Sequence, residues 1–398
     1  MNEADKAQQL LPIDAYYSQE WYATERTQLF DRSWVFACPE AAVAHPGDYV
    51  TLRFMDYGLF VVRDRSGALR AFHNVCRHRG CEVLENSGNT KSTIVCPYHR
   101  WVYQLDGKLR GLPDEQDCFE GIEKSELSLH PAGVGVYAGL VFVNPDPNTN
   151  DFNEWCYGLE DHPWPHRFDD GSMSYSGEIV YEMDCNWKVF YENAIDGYHL
   201  GYLHDKTLGK VYPDKNIWEA VGPHHLWYST ETGAKKSNTL LSVASAESNF
   251  VPRLHGDDEA NYPGVVMLFP LTILSPSPWG FYVSILEPAG PEKTFMRTLA
   301  WSPGGDGGRF KIKDGPHEPI RTRDLDKHPL ETGNFQIEDM WIVEKVQRNL
   351  HSPLYKVGPF AQGMGAETPL YQFQNTVLQS IQRKLSLVDT ELEGANTL

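Results

Sequence analysis

Between Tyr49 and Asn144 the chain is a series of short runs, residues 49–55, 58–64, 68–74, 101–107 and 139–145, several of which alternate apolar and polar positions. Alternation with period two places one set of side chains on a core and the other in solvent, so these runs predict a small antiparallel β domain. From Asn144 to Asp151 turn formers crowd together, with Pro145 and Pro147 unsuited to continuing a strand, and the domain boundary is placed there. Beyond it, residues 177–185, 265–274, 279–288 and 294–301 read as strands. Helical spacing runs over 187–203, 335–350 and 370–387, and residues 391–398 read as a frayed end. The expected class is α+β, antiparallel strands flanked by helices. One domain is expected over 36–150, and a second from 1–35 together with 151–398.

Composition narrows the function. At 398 residues the chain suffices for roughly two to three domains with their own cores. Its 54 acidic and 35 basic residues give a net charge of −19, spread along the length. Nucleic acid and anionic membrane surfaces are therefore poor partners, whereas a basic redox protein could dock on an acidic face. No apolar run approaches the ~18 residues of a membrane span, and the first residues lack the apolar centre of a signal peptide. A soluble, cytoplasmic protein is expected. The seven cysteines form no regular framework, which suits reduced thiols, with a local disulfide or simple packing both open for Cys81.

Two of those cysteines carry chemistry. Cys76-Arg77-His78 and Cys96-Pro97-Tyr98-His99 each offer one thiolate and one imidazole, and both segments fall between strands of the β domain. Two thiolates on one iron and two neutral imidazoles on the other make a Rieske [2Fe–2S] centre, a one-electron carrier. Zinc is the competing ligand of such a set, but zinc fingers usually pair Cys with Cys and His with His.

A second constellation lies in residues 186–204. Glu192, Asn193, Asp196 and His199 share one stripe of a helix by the i, i+3, i+4 rule. His204 falls ~140° further round an ideal helix than His199, so joint binding of one metal requires the helix to loosen, which Gly201 would permit. Two histidines need a carboxylate to complete the facial triad of non-haem iron. The segment 335–350 supplies Asp339 in the middle of an apolar stripe, with Glu338 displaced toward Lys345 and Asn349. A carboxylate facing a core needs a cation or an ion pair.

Together these segments resemble the Rieske non-haem iron oxygenases, specifically their catalytic (alpha) subunits. The resemblance rests on C-R-H-R-G, C-P-Y-H-x-W, N-W-K, E-N-x-x-D-x-Y-H-x4-H and E-D-x4-E-x-V-Q in that order, and covers about Tyr16 to Leu385. It implies a Rieske domain followed by a helix-grip catalytic domain. Carried over by position, Cys76, His78, Cys96 and His99 hold the cluster, and His199, His204 and Asp339 hold a mononuclear Fe(II). Asp196 corresponds to the carboxylate that connects an iron-ligand histidine to a cluster histidine of the neighbouring subunit, implying a homo-oligomer, most often a trimer. The chain departs from the family at Arg100, where a glycine or another small residue usually follows the second histidine. Arginine would be strained there if the position demands positive φ.

The implied reaction is O2 activation with insertion of one or both atoms into a small organic substrate. Electrons come from a separate NAD(P)H-dependent reductase, with a ferredoxin and a small β subunit as possible companions. The segment GGDGG at Gly304–Gly308 lacks the strand–helix context of a dinucleotide site. E-N-x-x-D-G-Y-H is similar to benzoate-type aromatic oxygenases, and residues 338–350 to enzymes of choline, betaines and carnitine. Ring hydroxylation of an aromatic is the first expectation, and attack on an N-methyl group the second. Phe269, Trp279, Phe281 and Tyr282 could stack on a ring, surround a trimethylammonium group or simply be strand core. A Rieske electron carrier or a ligand-binding helix-grip protein remains the alternative of another class.

Overall fold

The computed structural model describes residues 8–149, 151–164, 166–168, 173–207, 216–229, 263–277, 280–303, 310, 318–361 and 367–382. Two seven-stranded antiparallel sheets organise it. In spatial order the first runs Val35–Pro39, Leu140–Asn144, Pro131–Tyr137, Leu69–His73, Tyr57–Arg63, Asp48–Phe54 and Ser87–Asn89. A small three-stranded sheet, Thr93–Val95, Val102–Gln104 and Leu109–Gly111, carries the second Cys/His loop. The second large sheet runs Met173–Met183, Lys293–Pro303, Gly280–Gly290, Thr272–Ser277, Val265–Leu268, His224–Ser229 and Asn216–Val221.

The main core spans both large sheets. Phe36 on the first packs edge-on against Phe142, at 6.2 Å, and against Trp301 of the second, at 6.1 Å. A smaller core of Phe60, Phe72, Ile94, Trp101, Tyr103 and Leu109 closes around Cys76 and Cys96.

Helices grip the second sheet. Asn334 accepts from Gln336 N at 3.0 Å and starts Phe335–Leu350, which buries Ile337, Met340, Val343, Gln347 and Leu350. Asn186 does the same for Trp187–Ile195 through Lys188 N at 3.0 Å. That second helix is held from both sides. Glu25, on Gln19–Gln28, pairs with Lys188 Nζ at 2.6 Å and accepts from Trp187 Nε1 at 3.0 Å, all fully buried. Glu192 accepts from Tyr16 OH at 2.6 Å and from Nε2 of Gln374, on Thr368–Gln382, at 2.8 Å. The Oε1 of Gln374 accepts from Leu10 N at 2.7 Å.

Four expectations are corrected. The helix over 187–203 is two pieces, Trp187–Ile195 and Leu200–Leu203. Residues 265–274 are two strands rather than one, parted at the Phe269–Pro270 turn. The strands Asn216–Val221 and His224–Ser229 were not foreseen. Glu192 turns away from the stripe of Asn193, Asp196 and His199, toward Tyr16 and Gln374. The last helix is described from Thr368 to Gln382, and the expected continuation, the frayed end and Gly304–Gly308 lie outside the described residues. No described helix is long and apolar enough to cross a membrane.

Candidate metal centres

The two Cys/His loops share one backbone plan. Cys76 N donates to Cys81 O at 2.8 Å and Gly80 N to Cys76 O at 2.9 Å; Cys96 N donates to Trp101 O at 2.9 Å and Arg100 N to Cys96 O at 3.1 Å. The fourth residue after each cysteine has positive φ, +73° at Gly80 and +58° at Arg100. Glycine adopts this freely, whereas a side-chain-bearing residue there costs about 1 kcal/mol. The strain anticipated at Arg100 is present, and its side chain is exposed.

Cys76 and Cys96 are buried, and His78 and His99 half-buried with their Nδ1 atoms 3.2 Å apart. His78 stacks on Trp101 at 5.0 Å, which fixes the plane of its ring. Burial, His99 and Arg79 all lower the His78 pKa, so the imidazole stays in the neutral form that can ligate iron. Among the described residues no three of these four donors gather within 4.8 Å, as the ligands of one tetrahedral ion would. All seven cysteines are free thiols, Cys81 included.

His199, His204 and Asp339 do converge on one point, with their donor atoms within 4.8 Å of one another. Asp339 Oδ1 lies 3.0 Å from His204 Nε2 and 3.5 Å from His199 Nε2. Each imidazole is gripped at its far nitrogen by a carboxylate. Asp196 Oδ2 meets His199 Nδ1 at 3.0 Å, and Glu338 Oε2 meets His204 Nδ1 at 2.7 Å. With each Nδ1–H donating to its carboxylate, both Nε2 lone pairs face the shared point, the tautomer a metal requires. Asn193 Nδ2 donates to Asp339 Oδ1 at 2.9 Å. The donor set therefore fits a divalent iron with open positions.

The electrostatics agree. Burial alone would lower His199, but hydrogen bonds and charge from Asp196 and Asp339 raise it to about 9. Burial would raise Asp339, yet the two histidines hold it down at about 2. A carboxylate-rich pocket of this kind attracts a cation.

The loosening between the histidines falls at Asp196, not at Gly201, which sits inside Leu200–Leu203. Asp196 leaves helical geometry at φ −85° and ψ 106°, and its Oδ1 accepts from Tyr198 N at 2.6 Å, so the aspartate ends one helix and starts the next turn. Glu338 also differs from expectation. It is buried rather than displaced, and it accepts from Thr207 Oγ1 at 2.8 Å besides holding His204. A second carboxylate beside Asp339 was the available signal for it. Of the four candidate pocket aromatics, Phe281 is core, packed on Phe168 at 5.0 Å, and Phe269 packs on Phe373 at 6.2 Å. Tyr282 is half-buried on its strand, and Trp279 lies outside the described residues.

Residues 33–126 match the Rieske [2Fe–2S] domain family, and residues 170–383 match the ring hydroxylating alpha subunit (catalytic domain) family. The chain is 27% identical over 343 residues to the carnitine monooxygenase oxygenase subunit of Acinetobacter baumannii, covering 86% of this chain and 85% of that one. It is 27% identical over 384 residues to the chloroplastic choline monooxygenase of Beta vulgaris, covering 94% and 77%. A crystal structure of a quaternary ammonium Rieske monooxygenase in complex with substrate L-carnitine superimposes with a TM-score of 0.69 at 26% identity, over 93% of this chain and 95% of that one. These relatives favour the second substrate expectation, and the aromatic substrate put first is set aside.

Proposed function

The chain belongs to the alpha subunits of the Rieske non-haem iron oxygenases, and from that premise we propose that it oxidises a quaternary ammonium compound of the carnitine, betaine or choline type. It is an O2-using oxidoreductase of a family that employs a Rieske cluster and a mononuclear iron, and whose alpha subunits work with a reductase and form oligomers. The substrate reading is supported by likeness along most of the chain to enzymes named for carnitine and choline.

In this reading Cys76, His78, Cys96 and His99 hold the cluster, and His199, His204 and Asp339 hold the iron. Residues 36–150 form the electron-transfer domain, with 1–35 and 151–398 forming the catalytic one. Bound there, the cluster supplies electrons singly and the iron supplies reactivity toward O2. The chain's own groups do the positioning. Asp196 and Glu338 hold the Nδ1 protons of His199 and His204, and Asn193 orients Asp339. A homotrimer would bring Asp196 of one copy against a cluster histidine of the next, giving electrons a hydrogen-bonded route. Sedimentation of the purified chain tests the trimer and shows whether a β subunit is needed for it.

The deciding experiment is a single turnover. The protein is reduced chemically, freed of reductant, and given O2 with carnitine, glycine betaine, choline or a pool of aromatic carboxylates. Oxidised amine, aldehyde or formaldehyde from a quaternary ammonium compound is the expected product. Hydroxylated ring products from the aromatic pool alone would overturn the substrate reading and leave the oxygenase class standing.

A further inference from the structure

The strand His224–Ser229 opens on two histidines and sends them to opposite faces of the second large sheet. His224 is satisfied at both nitrogens. Its Nε2 donates to Trp155 O at 2.7 Å, and its Nδ1 accepts from Phe269 N at 3.1 Å. His225 is 2% exposed, yet its Nε2 has no hydrogen-bond partner among the described residues. Buried polar groups are nearly always paired, so an orphan of this kind calls for a partner from outside the chain.

Strand pairing fixes the face on which that ring lies. His225 pairs with Met267, Met267 with Ile273 and Ile273 with Ser284, and residues paired across an antiparallel ladder share one face. The helix Trp187–Ile195 meets this face. Its Tyr191 hydroxyl comes within 3.5 Å of both Met267 O and His225 Nδ1, with the two rings 6.2 Å apart. The same helix carries Asn193 and ends at Asp196, so His225 stands between the sheet and the element that builds the iron pocket.

Burial, with His224 alongside, holds the His225 pKa down at about 3, and the ring is neutral. A neutral imidazole has one donor and one acceptor. Burial keeps the Tyr191 proton on its oxygen. Donated to Nδ1, the more basic of the two acceptors within reach, that proton leaves the histidine's own hydrogen on Nε2.

We propose that His225 Nε2–H binds the carboxylate of the substrate, which makes the preferred compound a carnitine or a betaine rather than choline. The inference rests on the substrate being a quaternary ammonium compound. A trimethylammonium group neither donates nor accepts a hydrogen bond, so a donor can grip such a molecule only at its other end. A charged acceptor is held more strongly there than a neutral hydroxyl.

The test measures Kd and single-turnover yield with glycine betaine, carnitine and choline for the iron-loaded protein, for His225→Phe and for His225→Gln, which keeps an N–H at similar reach. His225→Phe should weaken glycine betaine and carnitine by roughly 10- to 100-fold and choline by about threefold at most. His225→Gln should restore most of the loss, and iron content and the Rieske spectrum should be retained in both. An equal loss for all three compounds, or none, overturns the role of His225. Turnover of choline alone by the unsubstituted protein overturns the carboxylate site and leaves the quaternary ammonium reading standing, whereas turnover of none of the three overturns that reading and the proposal with it. If neither variant folds, NMR of the unsubstituted protein labelled with 15N-histidine decides. Glycine betaine must then move a neutral imidazole N–H resonance that tetramethylammonium leaves in place, and constancy of every imidazole signal refutes the bond.

Discussion

The two candidate centres each use a pair of histidines, yet they control them by opposite means. In the cluster loops the backbone does the holding, through paired turns and a positive-φ residue in each, and Arg79 is the charged side chain that acts on His78. In the iron pocket carboxylates do the holding, with Asp196, Glu338 and Asp339 around His199 and His204. The first environment lowers the pKa of His78, and the second raises that of His199. The surroundings of the cluster suit a group that gains an electron, and those of the iron suit a group that arrives as a cation.

That contrast can be broken at several points. Asp339→Asn removes the charge shared by both iron histidines. It should cost at least ~100-fold in turnover and release mononuclear iron, while the Rieske spectrum stays unchanged. Metal analysis alongside EPR checks both halves, and loss of the cluster signal would show that the centres are not separable. Glu338→Gln keeps the shape but weakens the hold on His204, and should lower iron affinity by roughly 10- to 100-fold; equilibrium dialysis against a competing chelator measures it.

The pH dependence of the metal-free chain follows from His199, raised from 6.5 to about 9. Below about 9 the imidazole is protonated and iron must displace that proton, so apparent affinity should climb about tenfold per pH unit up to that value. The same charge stabilises the metal-free fold. Its contribution is fully present below 6.5 and is lost as the pH rises through about 9. Melting curves of the iron-free protein across this window should show the decline, and a rise would reverse the sign assigned here. The smallest effect belongs to Arg100→Gly, which relieves the +58° backbone and should stabilise the protein by about 1 kcal/mol without loss of the cluster. A lowered melting temperature would show that the arginine side chain contributes more than its backbone costs.

The Rieske domain was legible because Cys, His and their short spacings are local and can be read without knowledge of the fold. Phe335–Leu350 was legible for a similar reason, since its periodicity runs unbroken between its ends. The break at Asp196 was not. Helical spacing continues through it, and only the competition between the aspartate side chain and the helix for the Tyr198 amide ends the first segment. Glu338 was misplaced for a related reason: its angular position on one helix does not reveal that His204 and Thr207 come from elsewhere to bury it. The strands Asn216–Val221 and His224–Ser229 are short, and become strands by pairing with each other and with Val265–Leu268. Substrate preference was least legible. The segment around Asp196 pointed to aromatics and residues 338–350 to methylated amines, and likeness along most of the chain favours the latter.

Gln374 reaches Leu10 across 364 residues of chain and Glu192 across 182, and this has a consequence for how the protein is made. On the ribosome, residues 60–129 can close their own small core around Cys76 and Cys96 as soon as they emerge. The helix Trp187–Ile195 must wait for Gln374, translated 182 residues after Glu192, before Glu192 is satisfied and the turn at Asp196 is seated. Chain order thus becomes assembly order, with the core around Cys76 and Cys96 able to close early in synthesis and the seat of Glu192 completed only once Thr368–Gln382 has been made.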